Sequence, residues 1–178
     1  MKNFILYLFL LITLCSYAQN KRTTKSGEVT FEASVPSFEE VKATNKDVTC
    51  ILNVDTGEIA ALALMKGFHF KVALMEEHFN ENYMESTKFP KGIFKGKIEN
   101  FKITDLSESP MKYTINGTLE VHGKQKEITT TAYIKNYSGK IEIQNTFTVN
   151  TDDFDIKIPS VISKKVAKQV NVECLFKL

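Results

Sequence analysis

The stretch HFNENYMESTKFP, residues 78–90, brings together the residue types in this chain that could do chemistry. A histidine stands close to two glutamates, and imidazole and carboxylate groups can bind a metal ion or transfer protons. A metal site would need a third ligand, and nothing in the sequence nominates one. An enzyme that uses His78 with Glu81 or Glu77 is therefore kept as an alternative hypothesis.

The same stretch also has the spacing of a short amphipathic helix. One face would carry residues at spacings of four, four and three: Met75, Phe79, Tyr83 and Ser86. A separate stripe would be acidic: Glu77, Glu81 and Glu85. This pattern is typical of a helix that lies with one face on an apolar surface. We predict a lid helix that ends at Phe89-Pro90, because a residue before proline avoids the α region.

The other histidines fit structural roles better than chemical ones. His69 falls on the polar phase of a predicted strand, and His122 precedes Gly123 in a predicted hairpin turn. For His122 we expect a ring that bonds backbone groups near the turn. The chain lacks a nucleophile elbow, a phosphate-binding glycine loop, a dinucleotide fingerprint, an HExxH motif and paired CxxC motifs. We therefore expect no catalytic residue, no metal site and no cofactor.

Most of the chain alternates between apolar and polar residues, as half-buried strands do. The apolar-patterned segments are residues 29–35, 48–54, 58–65, 68–72, 94–98, 113–121, 128–134, 141–149, 154–158 and 170–178. Turn signals such as Asp55-Thr56-Gly57 and Tyr137-Ser138-Gly139 join neighbouring segments. The predicted fold class is all-β, a single antiparallel β-barrel of about eight strands, because closure removes the exposed edges of a sheet.

The predicted inward phase of these strands mixes large and small side chains. The large ones are Phe31, Phe70, Phe94 and Phe147, and the small ones are Ala33, Gly96, Gly117 and Ala132. An eight-stranded barrel can fill its own interior or hold one small ligand. The small inward residues favour a hollow barrel. A structural or interaction protein with a filled barrel is the alternative.

The N-terminus has the pattern of a secretory signal peptide. Lys2 precedes an apolar run from Phe4 to Leu14, and Ser16-Tyr17-Ala18 offers small residues for cleavage. No second hydrophobic stretch is long enough to span a bilayer. We predict a signal peptide at residues 1–18, one domain at residues 19–178 and a periplasmic location.

The three cysteines have different expected roles. Cys15 raises the alternative of a lipoprotein, but Leu14 stands where a lipoprotein signal has a small residue. Cys50 and Cys174 both fall on the apolar phase of predicted strands, as two buried small hydrophobic residues would. In an exported protein they could also form a disulfide, which requires Cα atoms within about 7 Å of each other.

The charge of the chain is nearly balanced, with a formal net charge of +2. Phosphate backbones require a concentrated basic surface, so nucleic acid is not expected as a partner. Lysines do cluster once, at Lys164, Lys165 and Lys168. This cluster is either a solvated face or a landing point for an anionic head group.

Four stretches, in this order and spacing, resemble the YceI-like family of bacterial exported proteins. They are HFNENYMESTKFPKGIFKGKI, INGTLEVHGKQKEI, FTVNTDDFDIKIP and the final VNVECLF. The resemblance covers about residues 27–178, and VTCILNVDTGEIAALALMKGFHFKVALM departs from it by being more aliphatic. It implies a lipocalin-like barrel with a short α-helix near one mouth and no enzymatic activity. It also implies that a polyisoprenoid or a similar long-chain amphiphile binds inside the barrel.

Such a ligand would lie against the inward phase of the strands and the inner face of the helix. The predicted ligand-binding residues are Phe31, Phe70, Phe79, Tyr83, Phe94, Ile115, Leu119, Phe147 and Phe154, with His78 beside Tyr83 at the mouth. The predicted function is a non-enzymatic exported protein that holds a polyisoprenoid, an isoprenoid quinone or another apolar lipid for sequestration or transport. The sequence leaves a homodimer open.

Overall fold

The computed structural model describes residues 20–178, and the predicted signal peptide lies outside them. Long alternating segments form the strands β1 (Lys21–Ser34), β2 (Lys42–Asn53), β3 (Glu58–Leu64), β4 (His69–Phe70), β5 (Lys91–Ile98), β6 (Met111–Val121), β7 (Lys124–Tyr137), β8 (Lys140–Asn150) and β9 (Val166–Lys177). Within the described residues, helix α1 is α-helical over Ala73–His78 and continues as a π-helical turn over Phe79–Tyr83. Short 3₁₀ turns occupy Met65–Gly67, Ile103–Asp105 and Thr151–Phe154.

Eight of the strands close into an antiparallel barrel. They follow the order β1-β9-β8-β7-β6-β5-β3-β2, and β2 returns to pair with β1. Closure is extensive, since the β1–β2 register runs from Lys21 opposite Asn53 to Glu32 opposite Lys42. The two-residue strand β4 adds only to the end of β2. The predicted fold class is therefore confirmed, and the closed sheet leaves none of the eight strands as an open edge.

Segment IAALALM, which is apolar on both phases, forms strand β3 as far as Leu64. That prediction was confirmed, but two other strand predictions were wrong. Residues 68–72 contribute only the two residues of β4, because the 3₁₀ turn Met65–Gly67 precedes them and α1 follows at once. Residues 154–158 form no strand, because Asn150 caps a 3₁₀ turn with its side-chain oxygen and Asp155 then adopts a left-handed conformation with φ of 55°.

Two clusters of buried apolar side chains divide the barrel along its axis. The larger cluster lies at the end where β2–β3, β5–β6 and β7–β8 are joined, and it includes Leu52, Ile98, Phe101, Ile134 and Ile143. We call this the closed end. The smaller cluster lies under α1 at the opposite end and is built on Ala43, Met65, Phe68 and Met84. The barrel is therefore filled at one end and covered by the helix at the other.

Phe94 occupies the space in front of two facing inward glycines. Gly96 on β5 pairs with Gly117 on β6. A Cβ atom added to Gly117 would lie 2.5 Å from the Phe94 ring and 2.5 Å from the Lys95 carbonyl oxygen. These two glycines therefore do not contribute empty space to the barrel; they make room for an aromatic ring.

We expect Gly117→Ala to lower the free energy of unfolding by about 1–3 kcal/mol, the usual cost of forcing extra atoms into a packed site. The new methyl group would meet both a ring and a backbone oxygen, so a rotamer change of Phe94 alone does not relieve the clash. Urea denaturation followed by circular dichroism measures the loss. Gly139→Ala measures the backbone cost without a clash, because no heavy atom lies within 4 Å of its Cβ position but its φ of 77° disfavours alanine; a larger loss at Gly117 would report the clash.

Cys50 and Cys174 are both free thiols, so the alternative of a disulfide is not realised in this structure. Cys50 is fully buried, and Cys174 lies half-buried on the inward side of β9. Burial raises the pKa of each thiol to about 12, with smaller contributions from Cys174 on Cys50 and from Glu173 on Cys174. Both thiols are consequently protonated and poorly nucleophilic at ordinary pH.

We expect a water-soluble aromatic disulfide reagent to leave both thiols of the folded protein unmodified at pH 8. In urea the reaction should accelerate with the fraction of unfolded chain, because an unfolded thiol recovers its ordinary pKa. Folding raises the pKa of each buried thiol. Its contribution to the stability of the protein is therefore present below about pH 9 and is lost as the pH rises toward 12. Rapid modification of Cys50 or Cys174 in the native protein at pH 8 would contradict their burial.

Candidate ligand-binding site

A cavity of about 440 Å³ lies inside the barrel between the closed end and α1. Its floor reaches Val48, Ile59 and Ile143, which belong to the core of the closed end. Its other end reaches the loop 35–41 and the segment 155–165, which meet where Ser34 of β1 pairs with Val166 of β9. We call this end the mouth. The size is that of an ordinary small-molecule pocket, which ranges over about 300–1,000 Å³.

The wall of the cavity is almost wholly apolar, because every strand of the closed barrel turns its apolar phase inward. The structure places all nine predicted ligand-binding residues on this wall: Phe31, Phe70, Phe79, Tyr83, Phe94, Ile115, Leu119, Phe147 and Phe154. His78 also reaches the cavity, from the exposed side of the mouth. That these side chains contact a ligand stays a prediction.

Helix α1 is held over the mouth by an aromatic cluster. The ring of Phe79 lies 5.2 Å from that of Phe31, 5.2 Å from Phe70 and 6.0 Å from Phe68, measured between centroids. Phe31 belongs to a barrel strand, whereas Phe68 and Phe70 precede the helix. One residue of α1 therefore joins the helix both to the barrel wall and to the segment that leads into it.

The inner face of α1 differs from a regular helix in its last turn. The amide of Met84 donates to the carbonyl of Phe79 over 2.8 Å, a π-type spacing that adds one residue to the turn. Met84 is therefore buried against the cavity, beside the partly buried Tyr83. Glu85 follows with φ of 43°, which ends the helical path. The helix thus ends at Tyr83, and the predicted end at Phe89-Pro90 was wrong.

Several residues that line the cavity were not among the predicted ligand-binding residues. They include Met65, Phe68, Met84, Val121 and Ile156 in the cluster under α1, and the buried polar residues Thr130, Asn145 and Thr151. The signal for Asn145 was present, since it stands on the inward phase of β8 between Ile143 and Phe147. Met84 was missed because a period of 3.6 residues cannot anticipate a π-helical turn.

Two of the three buried polar residues of the wall, Asn145 and Thr130, satisfy each other, whereas the hydroxyl of the third, Thr151, has no hydrogen-bond partner among residues 20–178. The Asn145 side-chain nitrogen donates to the Thr130 hydroxyl over 2.9 Å and to the Thr131 carbonyl over 3.2 Å. The Thr130 hydroxyl lies 3.2 Å from the Asn145 side-chain oxygen. A buried pair that is already hydrogen-bonded does not require a polar ligand beside it. The middle of the cavity can therefore accept an apolar chain.

Polar side chains gather at the mouth instead. Tyr83, His78, Glu39 and Lys165 all reach the cavity there. Partial burial raises the pKa of the Tyr83 hydroxyl, which keeps it neutral and able to donate a hydrogen bond. These groups could accommodate the polar end of an amphiphile whose chain lies deeper in the barrel.

Histidine His122 ties the hairpin turn to two segments at the mouth. His122 has φ of 52° and Gly123 has φ of 73°, so the predicted turn with its unusual dihedral at Gly123 is confirmed. Its ring Nδ1 lies 3.0 Å from the Phe154 carbonyl, and Nε2 lies 3.1 Å from a Glu85 carboxylate oxygen. The Phe89 ring packs edge-on against it at 4.6 Å. The bonded carbonyl is 32 residues away in sequence, which the sequence alone did not indicate.

The arrangement offers little for acid–base or metal chemistry. His69 is hydrogen-bonded to Glu76, and His122 is hydrogen-bonded to Glu85. Among residues 20–178, no hydrogen bond joins His78 to Glu81 or Glu77. Over the same residues, no three histidine, cysteine, aspartate or glutamate side chains stand together as a metal site would require. The described part of the chain also has no helix with the length and apolar character of a membrane span.

Comparison with known proteins agrees with this architecture. A polyisoprenoid-binding domain from Saccharophagus degradans, implicated in plant cell wall breakdown, is 13% identical and has a TM-score of 0.76, over 87% of this chain and 95% of that one. Burkholderia cenocepacia BcnA is 12% identical with a TM-score of 0.72, over 85% and 96% of the two chains. A Campylobacter jejuni YceI protein is 16% identical with a TM-score of 0.60, over 81% and 88%.

At these identities the solved structures support the fold alone. No curated protein matches the chain by sequence. The model of the YceI-like domain, in contrast, matches residues 21–178, which include all nine strands, helix α1 and the whole cavity wall. The chain therefore belongs to the YceI-like family.

Proposed function

We propose that this protein is a non-enzymatic binding protein that holds a long apolar or amphiphilic molecule inside its barrel for sequestration or transport. A polyisoprenoid or an isoprenoid quinone is the expected class of ligand. The observation that carries the proposal is the 440 Å³ cavity with its apolar wall, which lies between the packed core of the closed end and the mouth. The polyisoprenoid-binding domain from Saccharophagus degradans, which has a similar fold, supports the same class.

The physical driving force is sufficient for tight binding. Each buried methylene group contributes about 0.8 kcal/mol, so one five-carbon isoprene unit contributes about 4 kcal/mol. Four such units, about 16 kcal/mol, would outweigh the cost of immobilising the ligand, which is roughly 4–15 kcal/mol. Aromatic rings from Phe31, Phe94 and Phe147 supply broad contact surfaces at three places around the wall. Selectivity would then come from chain length and from the polar residues at the mouth.

The cavity also weighs against the two alternatives. A structural or interaction protein with a filled barrel needs its core to extend along the whole axis, whereas the packed core occupies the closed end. An enzyme built on His78 needs a partner that positions or titrates the ring. The ring lies exposed at the mouth without a carboxylate in hydrogen-bond contact among the described residues. Binding is therefore the function that this geometry supports best.

Native mass spectrometry of protein purified from its own host tests the proposal. We expect a lipid-sized adduct that organic extraction removes and that tandem mass spectrometry identifies. After delipidation, geranylgeraniol or decylubiquinone should restore the adduct and raise the melting temperature, whereas glycerol should not. Protein that carries no lipid and gains no stability from either isoprenoid would refute the proposal.

We also propose export through a cleaved signal peptide to the periplasm. The support is the N-terminal sequence, with Lys2 ahead of the apolar run from Phe4 to Leu14 and small residues near Ala18. Intact-mass analysis of the protein from the periplasmic fraction should give a chain that begins at Gln19. A full-length chain confined to the cytosolic fraction would contradict this proposal and leave lipid binding untouched.

A further inference from the structure

Apolar side chains are exposed on the outer surface of the mouth, around the opening of the cavity. Val161 is 87% exposed, Leu74 is 58% exposed and Phe38 is 47% exposed. They come from three separate segments: the loop between Thr151–Phe154 and β9, the start of α1 and the loop between β1 and β2. Soluble proteins usually expose such residues singly, so a group of them around one opening marks an interaction surface.

These three segments are neighbours in the structure. Ser34 at the end of β1 pairs with Val166 at the start of β9, which brings the loops that carry Phe38 and Val161 together. Lys71, just before α1, forms an ion pair of 2.5 Å with Glu40 in the β1–β2 loop. The cavity itself is lined by residues of all three segments. We refer to Phe38, Leu74 and Val161 as the mouth surface.

Lysines flank the most exposed residue of this surface. Lys157 and Lys164 stand on either side of Val161 in the chain, and neither takes part in an ion pair among the described residues. The nearby aspartates are already paired, Asp152 with Lys168 at 2.7 Å and Asp155 with Lys124 at 2.8 Å.

An exposed valine between two free ammonium groups matches the surface of a bilayer that contains anionic lipid. Apolar side chains insert at the boundary between head groups and acyl chains, while lysines contact the phosphates. Three exposed acids of the β1–β2 loop and α1 form no ion pair among residues 20–178 and oppose the electrostatic attraction: Glu39, Glu77 and Glu81. The apolar residues are therefore expected to supply most of the affinity.

We propose that the mouth surface docks on an anionic membrane, so that the ligand passes between bilayer and barrel. This inference rests on the proposed function, because a lipid that moves from a membrane to the cavity would otherwise have to cross water. Its test does not depend on any ligand, since membrane docking is measured directly.

The absence of tryptophan from the chain makes a single-site optical test available. Val161→Trp places the only tryptophan on the mouth surface, and Tyr137→Trp places it at the closed end, where Tyr137 is 58% exposed. Both full-length proteins share the same N-terminus, so any contribution from residues 1–19 is equal. We expect vesicles of phosphatidylglycerol and phosphatidylcholine to shift the emission of the first protein to the blue and leave the second unchanged. Brominated lipids should quench only the first.

A second set of variants measures affinity by vesicle flotation. Val161→Asp should weaken binding about tenfold, because it removes an apolar side chain that would insert into the bilayer. Lys164→Glu should weaken it at least fivefold, since each lysine near an anionic surface contributes about that factor. Lys140→Glu, at the closed end, is the matched control and should bind normally. None of these residues lines the cavity, so a bound lipid should remain in every variant.

The outcomes separate the hypotheses. Equal emission shifts at positions 161 and 137, or no shift at either, would overturn membrane docking. A dimer in light scattering that Val161→Asp dissociates, with no vesicle binding, would assign the mouth surface to a second copy of the chain instead. Vesicle binding by a protein that never carries lipid would support docking and refute the proposed function. Lipid binding without vesicle binding would support the proposed function and refute membrane docking.

Discussion

Ala63→Phe should abolish ligand binding while the barrel stays folded. Ala63 lies on the inward phase of β3, opposite Gly92 of β5, and it packs against both apolar clusters. Its side chain lines the cavity midway between the closed end and the helix. A phenyl ring there would occupy space that the ligand needs. Loss of contact with about four methylene groups corresponds to roughly 3 kcal/mol, or more than a hundredfold in affinity.

The adjacent outward phase supplies the control for this variant. Ala60 lies on the same strand, three residues earlier, and it is not part of the cavity wall. Ala60→Phe therefore adds the same ring to the outside of the barrel and should bind ligand normally. Titration of delipidated proteins with geranylgeraniol, followed by native mass spectrometry, measures both affinities. Equal affinities in the two variants would mean that the ligand binds outside the cavity.

Phe79→Ala should destabilise the protein and speed the release of its ligand. The substitution removes ring contacts to Phe31, Phe68 and Phe70 that hold α1 on the mouth. Removal of a buried aromatic side chain costs about 3–5 kcal/mol, and Phe79 is only partly buried, so we expect about 2–3 kcal/mol. For a chain of this length that corresponds to a fall in melting temperature of about 5–10 °C.

Phe79→Ala should loosen helix α1 more than the barrel. Hydrogen exchange should rise most over α1, Ala73–Tyr83, and little in β6–β8, because the barrel does not depend on the helix for closure. Leu74→Ala is the matched control, since Leu74 lies on the same helix with its side chain mostly exposed. An unchanged rate of lipid release from Phe79→Ala would show that α1 does not restrict the mouth.

Predictions from strand alternation succeeded wherever a strand is long and one of its faces is buried. Strands β6, β7 and β8 follow the expected segments, and β3 was recognised despite its apolar outer face. Period-two alternation reports which face is buried, and this is why the inward residues Ile115, Leu119 and Phe147 could be placed on the cavity wall. The same alternation misled at residues 154–158, where a capped 3₁₀ turn and a left-handed Asp155 set the path of the chain.

The lid segment shows where local pattern is insufficient. Of the predicted helix face, Met75, Phe79 and Tyr83 line the cavity, whereas Ser86 lies beyond the end of the helix and its hydroxyl donates to the Asn80 side chain. The π-helical turn, the burial of Met84 and the contact between Glu85 and His122 were not predicted. A helix that must cover a barrel mouth of fixed diameter can change its hydrogen-bond spacing. That adjustment depends on the barrel beneath the helix.

The sequence by itself determined the fold class, the inward phase of the strands and the family, because these follow from alternation and motif order within each segment. Only the tertiary structure decided whether the barrel is hollow. Gly96 and Gly117 were expected to leave space, but the ring of Phe94 fills the region in front of them. The space lies instead beside Ala61 and Ala63 and below α1, because cavity volume is set by side chains that meet from strands far apart in sequence.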